Sequence, residues 1–202
     1  PASCTWSVDT TGNSGILSLD SETTVADADL WSGMSLDGSH ILLTTMMNRH
    51  IHLVKFTTDL VQVGEPVALT TTSDLPAGKT IADHKHLLIG STLVVTWSPS
   101  GDEDLYIFMT DTDGNRVGEQ IAVVEGSSVM TNDMHLFTGE VGDEVYVMYA
   151  EAGADRYVAE FEVIEVSDNP VNLVRVGTTT KITAPSPHDP LGSTLYQGNK
   201  IR

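Results

Sequence analysis

The feature of this sequence that most constrains its fold is an internal repeat of roughly fifty residues. The segment that begins at Met34, MSLDGSHILLTTMMNRHIHLVKFTTDLVQVGEPVAL, aligns with the one that begins at His86, HLLIGSTLVVTWSPSGDEDLYIFMTDTDGNRVGEQIAV. A third copy begins at His135 and reads HLFTGEVGDEVYVMYAEAGADRYVAEFEV. Such a period is typical of proteins built from successive copies of one supersecondary unit. We therefore expect an array of equivalent units.

Each copy has the pattern of a meander of short antiparallel strands. Apolar residues nowhere keep a helical spacing for more than about one turn, whereas runs rich in Val, Leu, Ile, Thr and Tyr alternate with Gly, Asp, Asn and Pro about every ten residues. In the second copy the pattern predicts strands at 93–97, 105–109 and 120–124, with Asp113-Gly114 in the turn between the last two. The chain is thus expected to be all-β.

The two ends of the chain supply the parts of a fourth unit. The N-terminal segment CTWSVDTTGNSGILSLD resembles the later half of a repeat, and the C-terminal segment SPHDPLGSTLYQGNKIR resembles the first half. Joined in one sheet, the two ends would close a ring, which removes the sheet edges that promote aggregation. We therefore predict a single four-bladed β-propeller domain over residues 1–202. Its repeats are expected at about 31–82, 83–131, 132–185, and 186–202 plus 1–30. The alternative is a β-sandwich with coincidental repeats.

In blade count and chain length, this arrangement resembles the four-bladed hemopexin-like domains. The repeat is also similar to those of secreted bacterial propellers. The sequence lacks the aromatic-rich repeat of hemopexin-like domains, since its aromatic share is only 6%. The resemblance therefore implies an architecture alone, and no catalytic residue is carried over from it.

Charge and composition restrict the partners of the chain. With 28 acidic and 10 basic residues, the formal charge is −18, which repels nucleic acid and anionic membranes at long range. No apolar run reaches the roughly 20 residues that span a bilayer as a helix. The single cysteine, Cys4, excludes an internal disulfide and a cysteine-ligated zinc site. A start at Pro1 without an initiator Met is expected of a processed, secreted or periplasmic protein.

The repeat alignment also predicts a site, because the first strand of each propeller blade lines the central channel. The equivalent positions are Met34 in MSLDG, His86 in HLLIG and His135 in HLFTG. The fourth repeat aligns in two ways: HDPLG places His188 on the ring, whereas TLYQG places Thr194 there and His188 just before it. In both registers we expect His188 near the same mouth.

Imidazoles and a thioether that converge near one axis predict a transition-metal site for copper, iron or zinc. The expected ligands are His86, His135 and His188, with Met34 as a fourth ligand or wall. If one coordination position stays open, the ion could polarise a small-molecule substrate or activate water. The predicted function is therefore that of a metal-binding propeller, with the reaction class left open.

Carboxylates lie close to each of these histidines in the sequence. They are Asp83, Asp133 and Asp189. They could orient the imidazoles or act as general bases toward a bound ligand. Two other functions fit the same residues. One is a non-catalytic module for a glycan or a protein, in which the histidines are structural. The other is a glycoside-processing enzyme, which requires paired carboxylates about 5 Å or 6.5–9.5 Å apart.

Three further features are interpreted as structural. His50 and His52 project from the same face of one strand, and an exposed strand face is the favoured interpretation over a second cation site. The segment 111–115 has oxygen donors at alternate positions, but its Gly comes too early for a calcium loop, so it is predicted to be a hairpin turn. Trp97 is expected in the core.

Overall fold

The computed structural model describes residues 2–8, 17–24, 30–101, 104–125, 129–138, 144–151, 156–165 and 171–182. Within these ranges the chain forms strands and no helix, so the all-β prediction is confirmed and no described helix could cross a membrane. The strands are β1 (Ala2–Val8), β2 (Leu17–Thr24), β3 (Leu30–Leu36), β4 (His40–Met47), β5 (His50–Thr57), β6 (Val67–Ala68), β7 (Ile81–Ile89), β8 (Thr92–Pro99), β9 (Leu105–Asp111), β10 (Arg116–Val124), β11 (Val129–Thr138), β12 (Glu144–Glu151), β13 (Arg156–Glu165) and β14 (Val171–Ile182).

Twelve of these strands form three four-stranded antiparallel sheets, each a meander in chain order. The first sheet contains β3 to β6, the second β7 to β10 and the third β11 to β14, while β1 pairs with β2. The strands predicted in the second repeat are confirmed as parts of β8, β9 and β10. The turn between β9 and β10 is also confirmed, because the Asp111 carboxylate accepts hydrogen bonds from the backbone amides of Asp113 and Asn115.

The first strands of the three sheets lie next to one another. Strand β7 lies against both β3 and β11, so these three strands lie side by side. At the other side of the sheets, β10 contacts β14. Of the predicted fourth unit, residues 186–202 lie outside the described residues, and the part that precedes residue 30 contributes the β1–β2 hairpin.

One apolar core lies between the first and second sheets. Trp97 is fully buried in it, and its indole Nε1 donates a hydrogen bond of 3.0 Å to Gln120 Oε1. The ring also stacks on Tyr106 with a centroid distance of 4.9 Å. The prediction that Trp97 belongs to the core is therefore confirmed. The buried members of this core are Leu42, Ile51, Leu53, Leu69, Ile81, Leu93, Val95, Trp97 and Phe108.

A second apolar core lies between the second and third sheets. Because adjacent residues of a strand point to opposite faces, Val94 faces the third sheet while Val95 faces the first. Strand β8 is thus buried on both sides, which explains its continuous apolar run. The buried members of this core are Val94, Leu105, Ile107, Met109, Val123, Met134, Val145, Val147, Tyr149, Ala159, Phe161 and Leu173.

The first and third sheets each carry a further apolar cluster on the face turned away from the second sheet. We call these two groups the outer clusters. In the first sheet, Val54 and Phe56 are buried beside Ile41 and Leu43. In the third sheet, the cluster consists of Met148, Ala150 and Val158, with Phe137 and Tyr146 beside them. Both faces of both outer sheets are therefore apolar, as they are in a sheet packed between two others.

Candidate functional site

His86 lies on β7 with its ring inserted between the first and second sheets. Its Nδ1 is 2.7 Å from Thr44 Oγ1, and its Nε2 is 2.8 Å from Ser35 Oγ. Gly33 leaves room for the ring, since a Cβ at that position would be 3.0 Å from Nδ1. Burial lowers the pKa of His86 to about 4, so the ring is neutral at pH 7. Both nitrogens, either of which could bind a metal, are engaged by hydroxyl groups of the first sheet.

His84 lies two positions earlier on the same face of β7 and was not among the predicted ligands. Its ring is fully buried, and neither nitrogen has a hydrogen-bond partner among the described residues. Burial lowers its pKa to about 3; the charges of Lys85 and His86 act in the same direction, and the Thr44 backbone opposes them. The fold therefore holds two neutral imidazoles side by side in this layer.

Asp83 is buried on the opposite face of β7, with 6% of its surface exposed. Lys85 Nζ donates to both carboxylate oxygens, at 2.9 Å and 3.0 Å, and the His84 backbone amide donates to Oδ1 at 2.8 Å. The lysine and the carboxylate lie two residues apart on one strand and neutralise each other. Asp83 is thus part of an ion pair within β7, which leaves fewer of its lone pairs for a substrate.

His135 does not meet His86 in this structure. On β11 it pairs in register with Met148 of the outer cluster, whereas its neighbour Met134 faces the second sheet. Its ring stacks on Phe137, with ring centroids 6.1 Å apart. His135 therefore projects from the side of the third sheet that is turned away from the second, whereas His86 projects toward the first.

Met34 is 69% exposed on β3. It points away from His86, because the adjacent Ser35 is the residue that contacts that ring. His188, Asp189 and Thr194 lie outside the described residues, as does the side chain of Asp133. Among the described residues, no three His, Cys, Asp or Glu side chains are grouped closely enough to hold a metal ion. The part of the predicted metal site that the structure describes is not assembled.

The structure contains a pocket that the sequence interpretation missed, at the end of the first sheet. It has a volume of about 220 Å³. It forms where the turn between β4 and β5 meets the connection between β6 and β7. The residues that line it are Arg49, His50, Thr72, Leu75, Pro76, Ala77, Gly78 and Lys79. His50 and His52, predicted on an exposed face, are both partly buried, and His50 belongs to this lining.

The turn that carries Arg49 has an unusual residue for its backbone conformation. Asn48 and Arg49 have φ angles of 50° and 71°, as in the two-residue hairpin turns that favour Asn-Gly. A residue with a Cβ in this left-handed region costs about 1–2 kcal/mol. The Arg49 guanidinium crosses to the β6–β7 connection, where Nη2 donates to the Lys79 carbonyl at 2.9 Å. In the sequence, Asn-Arg stands in a hairpin turn where Asn-Gly is usual. This pair was the signal from which the special position of Arg49 could have been predicted.

Two cationic side chains line the pocket, although the protein as a whole is acidic. Two of the ten basic residues of the chain, Arg49 and Lys79, line it, and none of its described lining residues is acidic. The nearby Asp74 is instead bonded to the Thr71 amide and to Arg116. Guanidinium and ammonium groups are the donors that recognise carboxylates and phosphates. The arrangement is therefore suited to an anionic group.

Comparison with known proteins adds nothing to this geometry. The chain matches no protein-family model and no curated protein.

Proposed function

We propose that the chain closes into a four-bladed β-propeller, with residues 186–202 and 1–30 forming the fourth blade. The support is the burial of the outer clusters. Val54 and Phe56 are only 1% and 3% exposed, and Met148 is 1% exposed. Side chains on one face of a single sheet cannot bury one another this completely, because a second layer about 10 Å away is needed to cover them. A fourth sheet between the first and third would cover both clusters.

Removal of residues 186–202 tests this closure. We expect the free energy of unfolding to fall by several kcal/mol, because the outer clusters become exposed to water. Each Å² of apolar surface that is exposed costs about 25 cal/mol. Addition of the 186–202 peptide in trans should restore part of the loss in a urea titration, and a scrambled peptide of the same composition should not. Unchanged stability after the deletion would favour the β-sandwich alternative.

Within this architecture, the proposed function is that of a non-catalytic module that binds a small ligand. One observation carries the proposal: His86 uses both of its ring nitrogens to join the first and second sheets, through Ser35 and Thr44. A metal ligand or general base needs a free lone pair aimed at its target. Instead, His86 joins the two sheets, and Asp83 forms an ion pair with Lys85. The pocket beside Arg49 is the site that we propose for the small molecule.

The metal site remains a prediction, and elemental analysis separates the two functions. Protein purified without an affinity tag is expected to hold no stoichiometric copper, iron or zinc. The variant His86→Ala should lose stability, because the Ser35 and Thr44 hydroxyls lose their partner, with no change in metal content. Near-stoichiometric metal that disappears in the double variant His86→Ala/His135→Ala, but persists in the control His52→Ala, would overturn the binding-module proposal.

A further inference from the structure

We propose that the pocket lined by Arg49, His50 and Lys79 binds the oxyanion group, a carboxylate or a phosphate, of a small ligand. This inference rests on the proposed binding function and names the chemical class of its ligand.

The pocket is held by hydrogen bonds between three separate segments. Arg49 Nη2 donates to the Lys79 carbonyl, and Lys79 Nζ donates to the Gly101 carbonyl at 3.1 Å. The Ser100 amide donates to the Thr80 carbonyl at 2.7 Å. These bonds tie the β4–β5 turn, the β6–β7 connection and the β8–β9 turn together. A site fixed in this way loses little conformational freedom when a ligand binds.

The strained backbone of Arg49 indicates that its side chain has a role in the pocket. Glycine would occupy a φ of 71° without cost. Strained residues of this kind cluster at ligand-binding positions, where the surrounding structure holds them in place. A guanidinium has five N–H donors. Among the described residues, Arg49 uses one of them in its hydrogen bond to the Lys79 carbonyl. Donors therefore remain for a planar oxyanion, which the guanidinium fork fits in a bidentate manner.

The charged groups nearest the pocket act most strongly on an anion there. The formal charge of −18 is spread over the whole chain. At physiological ionic strength, exposed charges farther away than about 8 Å are largely screened. Among the described residues, the lining contributes the cationic groups of Arg49 and Lys79 and no carboxylate. These two cations favour an anion in the pocket although the protein as a whole is acidic.

The size and lining of the pocket limit the ligand. A volume of about 220 Å³ is below the roughly 300–1,000 Å³ of pockets that bind drug-sized molecules. Leu75, Pro76 and Ala77 form an apolar wall beside the cationic groups. This combination fits an oxyanion carried on a body no larger than a monosaccharide.

Titration of the full chain with two oxyanions tests the proposal. Sodium glucuronate and inorganic phosphate are added separately in calorimetric or amide-NMR titrations, with glucose as the neutral control. We expect millimolar binding of at least one oxyanion and at least tenfold weaker binding in Arg49→Gln and in Lys79→Gln. Glucuronate binding without phosphate binding identifies a sugar acid, and the reverse identifies a phosphate. Lys55→Gln, which removes a lysine paired with Asp113 elsewhere, is the matched control and should bind as the wild type does.

Two results would overturn the proposal, and they are distinguishable. Glucose binding equal to that of glucuronate, unchanged in Arg49→Gln, would refute the anionic ligand while the binding function stands. No binding of any of the three probes at tens of millimolar would count against both. The variant Arg49→Gly guards against a folding artefact, because it removes the charge and relieves the φ strain. Because relief of the strain offsets the lost hydrogen bond to the Lys79 carbonyl, this variant should keep about the same melting temperature and still lose oxyanion binding.

Discussion

Acidification is expected to destabilise the fold through two histidines of β7. Burial is the main cause that lowers the pKa of His84 to about 3 and that of His86 to about 4. An unfolded histidine has a pKa of about 6.5. As the pH falls below 6.5, the unfolded chain therefore takes up protons that the folded chain excludes. The stability that the two neutral histidines contribute is complete above about pH 6.5. It is lost as the pH falls toward their pKa values in the folded state.

The size of the effect follows from proton linkage. Each pH unit in this window costs about 1.4 kcal/mol for each histidine that stays neutral in the folded state. Between about pH 8 and 4.5, each ring lowers the free energy of unfolding by nearly 3 kcal/mol, and the pair lowers it by about 5 kcal/mol. That approaches the whole stability of a small domain, about 5–15 kcal/mol. Hydrogen bonding by the Ser39 amide lowers the pKa of Asp37 below 3.8, so that carboxylate contributes only at still lower pH.

Urea unfolding followed by tryptophan fluorescence at several pH values measures this slope. In His84→Leu, which replaces the buried ring by an apolar side chain, the loss of stability between pH 8 and 4.5 should fall to about half. Leu88→Ala, on the same strand and packed against the same core, is the control. It should lower stability at every pH without a change of slope. Equal slopes in the wild type and His84→Leu would refute the reasoning.

Three other substitutions test single contacts. Thr44→Val leaves His86 Nδ1 without its partner at 2.7 Å and should cost about 1–3 kcal/mol in urea unfolding, whereas Thr44→Ser, which keeps the hydroxyl, should cost less. Trp97→Ala empties a fully buried site and should cost about 3–5 kcal/mol; a loss under 1 kcal/mol would place the indole outside the core. Asp111→Ala removes an acceptor of turn hydrogen bonds and should lower the melting temperature by a few degrees, while calcium leaves the melting temperature of the wild type unchanged, as expected of a turn.

Local regularities were predictable from the amino-acid sequence. The alternation of apolar runs with turn residues depends on near neighbours along the chain, and the aligned segments can be compared without knowledge of the fold. They predicted the all-β class, the strands within β8, β9 and β10, and the turn at 111–115. Burial of Trp97 also followed from its place in an apolar strand.

The directions of the His86 and His135 side chains were decided by the tertiary structure. The repeat alignment places His86 and His135 at equivalent positions, but side chains of successive residues point to opposite faces of a sheet, so a register change of one residue reverses them. Irregularities interrupt the pairing between Ile81 and Asp83 in β7 and between Val129 and Met134 in β11. A repeat alignment cannot locate such bulges, because they depend on how two strands pair.

The cationic pocket also depends on the fold and not on any local pattern. Arg49 and Lys79 are 30 residues apart in the chain and meet because a hairpin turn of the first sheet packs against the connection to the second. Composition revealed only that basic residues are few. Which of them become neighbours is set by strand pairing and sheet packing, since these bring together groups that the chain keeps far apart.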